Sequence, residues 1–440
     1  MNNSNTAKLI RGLSIIIAAV IFLLPFHAFL TVWLASLFGH YTFLRLWKEI
    51  VLLSVGLVAL GLLIKDRAMW QALGRYKLFW LMGIYLGLLL LLGAISFSHH
   101  QVSGKALAYG LLDDMRYLLF FGLCLGLTAR NDWLAKHWTR LVLAPALIVV
   151  LFGLVQIFVL PYNFLQHFGY NSATIAPFET VNSSLHYVRV QSTLRGANPL
   201  GAYLVLIITV IAGLFIRSRT ARSRLGLGLF AAGAVTVLFF TYSRSAWIGT
   251  ALSVACLIVA AIKSDRVRRG LLLSGAALLV LVAGGTLALR HNSRFESIVF
   301  HTSPHTVPVT SDQNHNSALK QGLHDLAADP LGRGPGTAGP ASVYNHYGPV
   351  RLAENYFVQI GQEVGWLGLT LFLIINVLVA VALWQKRSEP MALALWASLI
   401  GISFVGLLSH VWADDTLSYL WWGLAGSALS PYLFKRQAKN

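Results

Sequence analysis

Residues 356–384 read YFVQIGQEVGWLGLTLFLIINVLVAVALW, an apolar run in which Glu363 is the only formally charged residue. At 1.5 Å per residue the run is long enough to cross a hydrocarbon core of about 30 Å, which needs about 20 residues. Similar runs recur along the chain. The 440-residue sequence is 56% hydrophobic and only 11% charged, with a mean hydropathy of +0.66. Soluble domains carry about 25% charged residues, so this chain has too few to clothe a water-facing globule, and a membrane protein is expected. Disorder, coiled coil and a disulfide scaffold are excluded on the same grounds, because polar tracts, long heptads and abundant cysteine are all missing. Cys124 and Cys256 lie inside apolar runs and read as small core residues. A net charge of +18 points to nucleic acid only when the basic residues share one surface. Here they are scattered over short loops, and no nucleic-acid partner is expected.

Twelve runs qualify as spanning helices, near residues 10–30, 46–64, 78–97, 111–128, 140–160, 199–216, 225–242, 245–262, 270–290, 356–384, 391–410 and 416–434. The first follows Lys8 and Arg11, yet no small-residue cleavage site follows positions 23–26, so it is kept as a helix and not read as a signal peptide. With both termini inside, the Lys and Arg residues of the loops fall two to one on the inner side, as the positive-inside bias requires. The expected fold is therefore all-α and polytopic, with about twelve transmembrane helices in three parts. Residues 1–290 hold nine helices and an outer segment near 161–198, residues 291–354 form a long outer loop carrying short helices, and residues 355–440 hold the last three helices. A loop of that length, rich in His, Gly and Pro, is expected to carry function. Inverted repeats, a phosphate-cradling Gly-x-x-x-x-Gly-Lys and a His-Glu-x-x-His pair are absent from the sequence, which argues against an ATP-driven pump or a zinc protease.

Four outer segments concentrate polar residues. In Leu194-Arg195-Gly196-Ala197-Asn198-Pro199, the proline opens a helix and places Arg195 beside a helix N-terminus, where backbone donors and dipole favour a phosphate. The Thr241-Tyr242-Ser243-Arg244-Ser245 hairpin holds Arg244 at the hydrocarbon edge, either as a snorkelling anchor or, with Arg195, as a clamp for a diphosphate. A third segment runs from His315 to Asp329-Pro330-Leu331-Gly332-Arg333-Gly334-Pro335-Gly336, whose Gly and Pro density predicts a tight turn returning to the membrane. His315 reads as a proton carrier, a sugar contact or a plain surface histidine. The fourth is Glu354-Asn355, nine residues, then Gly365-Trp366-Leu367-Gly368. A carboxylate at the mouth of a helix is partly desolvated and suits a general base; an ion pair with Arg351 or Arg244 is the structural alternative. Glu363, nine positions on, is half a turn out of phase and is expected to face elsewhere as a buried partner. Asp113 and Arg116, three apart in the fourth helix, are expected to neutralise each other. Asp414 and Asp415 mark further interfacial charge.

Together these segments resemble the O-antigen ligase and polymerase family of bacterial inner-membrane glycan transferases, over about residues 190–375. The resemblance rests on Arg195 to Gly201 ahead of a helix, on the Ser243-Arg244-Ser245-Ala246 hairpin, and on the glycines at 332, 334 and 336 preceding the 354–368 helix opening. In the ligases that opening begins with His, regarded as the base; here the position is Glu354, and His315 or His346 are alternatives for the same role. The resemblance implies inverting, metal-independent and cofactor-free transfer of a glycan from undecaprenyl diphosphate to a sugar hydroxyl at the periplasmic face of the inner membrane. The acceptor would be lipid A core for a ligase or a second lipid-linked glycan for a polymerase. It places the two diphosphate-holding arginines at Arg195 and Arg244. Asn198, Tyr242, Ser243, Arg333, Arg351 and Asn355 are expected to contribute to the substrate site. The non-enzyme alternative is a flippase or transporter of lipid-linked glycan, for which charges would line a path through the bundle.

Overall fold

The computed structural model describes residues 3–64, 67–262 and 311–435, with a few isolated positions between the last two ranges. Its helices are α1 (Asn3–Leu23), α2 (His27–Phe38), α3 (Tyr41–Arg45), α4 (Trp47–Leu63), α5 (Arg67–Gly74), α6 (Lys77–Ser98), α7 (Gly104–Arg130) and α8 (Trp133–Phe158). They continue with α9 (Ala197–Arg217), α10 (Ala221–Phe240), α11 (Arg244–Ala261), α12 (Ser311–Ala328), α13 (Tyr356–Gln385), α14 (Pro390–Gly406) and α15 (Asp415–Lys435). Each of the apolar runs read from the sequence coincides with one of these helices except that at 270–290, which lies outside the described residues. Among the described residues seven spans are long and apolar enough to cross a membrane, the first of them Asn5–Phe38 and the last Tyr356–Gln385. The apolar helices α4 and α14 have 17 residues each, and α7 carries Asp113, Asp114 and Arg116 along its length.

One expectation needs correction. The first helix does not stop near residue 30. Proline removes a ladder hydrogen bond, and at Pro25 the chain tightens into a 3-10 turn over Leu24–Phe26 and then resumes as α2. The carbonyls exposed there are recovered by distant hydroxyls: Thr193 Oγ1 donates to Pro25 O at 2.8 Å and Thr416 Oγ1 to Leu24 O at 3.2 Å. The all-α expectation holds for the fold as a whole, with one local departure. The 161–198 segment contains an antiparallel hairpin, β1 (Glu179–Val181) and β2 (Ser184–Arg189), with a register irregularity after Thr180. Its tight turn uses Asn182 and Ser183 in left-handed conformation, a local geometry that helical periodicity does not reveal.

Close helix approach depends on small residues, as expected where lipid provides no apolar contrast to drive association. Cβ atoms at Gly249 on α11 and Gly401 on α14 would lie 2.8 and 2.1 Å from the facing carbonyl oxygens. On α15, a Cβ at Gly426 would meet Phe121 O of α7 at 2.3 Å. Around this seam Trp412, Trp421, Trp422 and Tyr117 are fully buried.

Candidate functional site

The site begins at a break in a helix. Gly365 in α13 adopts φ 66°, ψ −171°, a conformation open in practice only to glycine, and it interrupts the backbone ladder. The segment 330–336 takes up the freed groups: Arg333 N–H donates to Gln362 O at 3.0 Å, Gly334 N–H to Glu363 O at 2.7 Å, and Trp366 N–H to Pro330 O at 3.0 Å. Without these bonds the break would leave costly orphans in an apolar surrounding. Gly336, also at positive φ, leaves room for the Ala106 carbonyl oxygen, which a Cβ would meet at 2.2 Å. The glycine-rich turn is thus wedged between α7 and α13. Glu363, expected to face away from Glu354, is fully buried, and its Oε1 accepts from Gly336 N–H at 2.8 Å and Ala338 N–H at 3.4 Å.

This scaffold fixes the mouth of α13. Asn355 caps the helix, its Oδ1 accepting from Val358 N–H at 3.0 Å, while its Nδ2 donates to Leu407 O at 3.0 Å. The residue expected to touch substrate therefore ties α13 to the segment after α14. Glu354, immediately before it, has φ 50°, an outlier for a residue with a side chain and the kind of strain that concentrates at functional positions. Its Oε2 lies 2.7 Å from His315 Nδ1 on α12. The partner of Glu354 is thus His315, whereas the sequence allowed Arg351 or Arg244. Packing explains the meeting of residues so distant in sequence. Gly361 of α13 faces Leu326 of α12, and Gln362 Nε2 donates to Asp325 Oδ2 at 3.0 Å.

The same carboxylates account for two further residues. Arg351 Nε lies 3.3 Å from Asp325, and Arg333 pairs with Asp329 while its Nη1 stands 3.7 Å from Asp325. Asp325 in the last turn of α12 and Asp329 just after its end engage both guanidinium groups within the chain. Arg333 and Arg351, expected to contribute to a substrate site, thus hold the turn and α12 together. Burial, helped by the neighbouring Arg333 charge, lowers Arg351 below the usual arginine range.

Beside the His315–Glu354 pair stands His410, which no local motif marks. It lies between α14 and α15, and its Nδ1 is 2.6 Å from Gln359 Oε1 on α13. Burial, then the positive charge of Arg195, holds His410 down to about 4, so its ring is neutral at neutral pH. Arg195 Nη2 is 3.7 Å from Asp414 Oδ2, and 40% of the Arg195 side chain is exposed, a loose attachment that leaves the guanidinium accessible. Asp414 itself caps α15, accepting from Leu417 N–H at 3.1 Å. Burial pushes its carboxyl above the ordinary range, against the pull of Arg195.

Arg244 belongs to a second cluster. Its charge bears on Arg189, whose Nη1 lies 3.2 Å from Glu179 Oε2, whose Nη2 donates to Asn198 Oδ1 at 2.5 Å, and whose Nε donates to Thr241 O at 2.8 Å. Glu179 Oε1 also approaches Ala197 N at 3.4 Å. The α9 N-terminus, expected to be open for phosphate, is capped by the hairpin's own carboxylate, because that anion meets the same donors and dipole. Tyr242, at φ 51°, and Ser243 are buried within the α10–α11 hairpin; Tyr242 packs against Phe239 and Tyr187, and Ser243 Oγ is 3.4 Å from Ser245 Oγ. Asp113 and Arg116 form an ion pair at 3.1 Å, and Arg116 Nη2 donates to Ala413 O at 2.7 Å, joining α7 to the segment that carries His410.

Chemically, an imidazole whose Nδ1–H is held by a carboxylate presents Nε2 as a proton acceptor. His315 Nε2 is buried and has no hydrogen-bond partner among the described residues. An imidazole–carboxylate pair, a second, neutral imidazole and a partly exposed guanidinium thus share one region. Compared with models of known protein families and with the sequences of curated proteins, the chain matches none.

Proposed function

We propose that this chain is a glycan transferase that moves a sugar polymer from undecaprenyl diphosphate to a hydroxyl of lipid A core, working at the periplasmic face of a bacterial inner membrane. In this reading twelve helices span the membrane with both termini in the cytoplasm, and the 291–354 loop lies in the periplasm. The observation that carries it is the 2.7 Å contact between His315 Nδ1 and Glu354 Oε2, at the position where the resembled ligases place their base.

His315 Nε2 takes the proton of the acceptor hydroxyl as its oxygen attacks the anomeric carbon. The bond from that carbon to the phosphate oxygen breaks, and the diphosphate leaves with the electron pair, inverting the configuration. Glu354 is the positioning residue: it holds the imidazole tautomer and stabilises the imidazolium that forms. A placed base supplies roughly 10² to 10⁴ in rate. Arg195, exposed beside the pair, stabilises the charge growing on the leaving group, with Arg244 serving the distal phosphate; such donors contribute a few kcal/mol, roughly 3 each.

The replacement of His by Glu at 354 favours one other reading, a polymerase joining lipid-linked repeats. Lipopolysaccharide gel profiles of a deletion strain separate the two. Loss of all polymer from lipid A core supports the ligase, a single-repeat ladder supports the polymerase, and an unchanged profile rejects both.

A further inference from the structure

The proposed chemistry uses His315, Glu354 and the arginines but leaves His410 without a task. Its ring is buried, and its two nitrogens stand in different situations. Nδ1 lies 2.6 Å from Gln359 Oε1, an oxygen that only accepts, so the ring proton sits on Nδ1. Nε2 then carries a lone pair, and it is buried without a hydrogen-bond partner among the described residues. An unpaired buried acceptor costs about 1–3 kcal/mol, and a donor brought to Nε2 would recover that cost. The Gln359 amide is pressed against the turn, where a Cβ on Gly339 would come within 2.3 Å of it, and the Asn355 bond to Leu407 O holds the chain leading to His410.

The groups around Nε2 define what it can take. The Arg195 guanidinium is near enough for its charge to bear on the ring, which makes a cationic ligand unsuitable. A neutral donor that approaches alongside a phosphate-bearing molecule fits, and a sugar hydroxyl is such a donor. We propose that His410 is a sugar-binding residue, its Nε2 accepting a hydrogen bond from a second hydroxyl of the acceptor glycan while His315 receives the reacting one. This assignment rests on the glycan-transferase reading and adds to it the residue that orients the acceptor.

Binding of a soluble, delipidated lipid A core oligosaccharide to the full chain in detergent tests it without turnover, by saturation-transfer NMR. The wild-type chain should transfer saturation to the sugar protons. His410→Phe, which keeps a ring and removes the acceptor, should weaken binding at least tenfold, and His410→Gln, whose amide oxygen reaches the Nε2 position, should recover part of it. Thermal unfolding of each variant separates loss of binding from loss of fold. Undiminished binding by the Phe variant, equal loss in the Phe and Gln variants, or no binding by the wild-type chain overturns the proposal. A deletion strain with unchanged lipopolysaccharide, by contrast, would reject the transferase reading while leaving a positive binding result in place.

Discussion

Gly110 of α7 and Gly336 of the glycine-rich turn meet backbone to backbone: a Cβ on Gly110 would fall 2.1 Å from Gly336 N. Neither partner has a flexible side chain that can yield, so Gly110→Ala must displace the turn. The expected cost is about 1–3 kcal/mol, the range for overpacking a tight site, accompanied by loss of transfer. Gly83→Ala, where a Cβ meets nothing within 4 Å, is the control. Thermal unfolding in detergent measures both, and equal stabilities would contradict the described contact.

Glu363 should matter as an acceptor of backbone hydrogen bonds. Glu363→Gln retains a carbonyl oxygen for Gly336 N–H and Ala338 N–H, whereas Glu363→Ala strands both donors in a buried place. The alanine variant is expected to be less stable than the glutamine variant by about 1–3 kcal/mol. Comparable unfolding temperatures for the two would remove Glu363 from that role.

The pair formed by His315 and Glu354 predicts a graded series in transfer assays. His315→Asn should lose roughly 10² to 10⁴ in turnover. Glu354→Gln should fall nearly as far, and Glu354→Asp should keep partial activity with unchanged binding of the lipid-linked donor. If Glu354→Gln turns over at the wild-type rate, the carboxylate does not orient the base.

Arg195→Ala and Arg244→Ala are expected to abolish transfer, with Arg195→Lys retaining a fraction because charge persists without the planar fork. Arg195 is half in solvent and tied to Asp414 only at 3.7 Å, so its loss should change stability by about 0.5 kcal/mol or less. Normal turnover in both alanine variants would reject the diphosphate clamp.

A pH dependence of stability follows from His410. Its ordinary value of 6.5 is lowered to about 4 in the fold, so between those limits the unfolded chain binds the extra proton. Stability is whole above pH 6.5 and declines as the pH falls toward 4. The decline attributable to this ring is up to about 3 kcal/mol. His410→Gln should lack that component, which unfolding curves at pH 7 and pH 4.5 for both proteins would reveal.

The helices were legible because a run of apolar residues long enough to cross lipid has few alternatives to helix. The pairing of Asp113 with Arg116 was legible as well, since three residues along a helix bring two side chains onto one face. What lay beyond reach arose between distant segments. His410 meets Gln359 only once α13 and the link into α15 have packed. The one hint in its neighbourhood is the charged step Asp414-Asp415 closing an otherwise apolar stretch. Arg333 and Arg351 have the residue type for phosphate, and nothing short of the fold places Asp325 between them. Glu179 at the start of α9 is a similar case, a carboxylate brought by a hairpin whose short strands leave little periodicity to read.

The interruption of α13 at Gly365 has a mechanical corollary. The portion of the helix above it is hydrogen-bonded to the glycine-rich turn as firmly as to its own lower half, so turn and upper segment must travel together or not at all. His315 and Glu354, mounted on that joined block, form a fixed anvil. Arg195, which among the described residues pairs with Asp414 at 3.7 Å, is not tied into that block by any such bond.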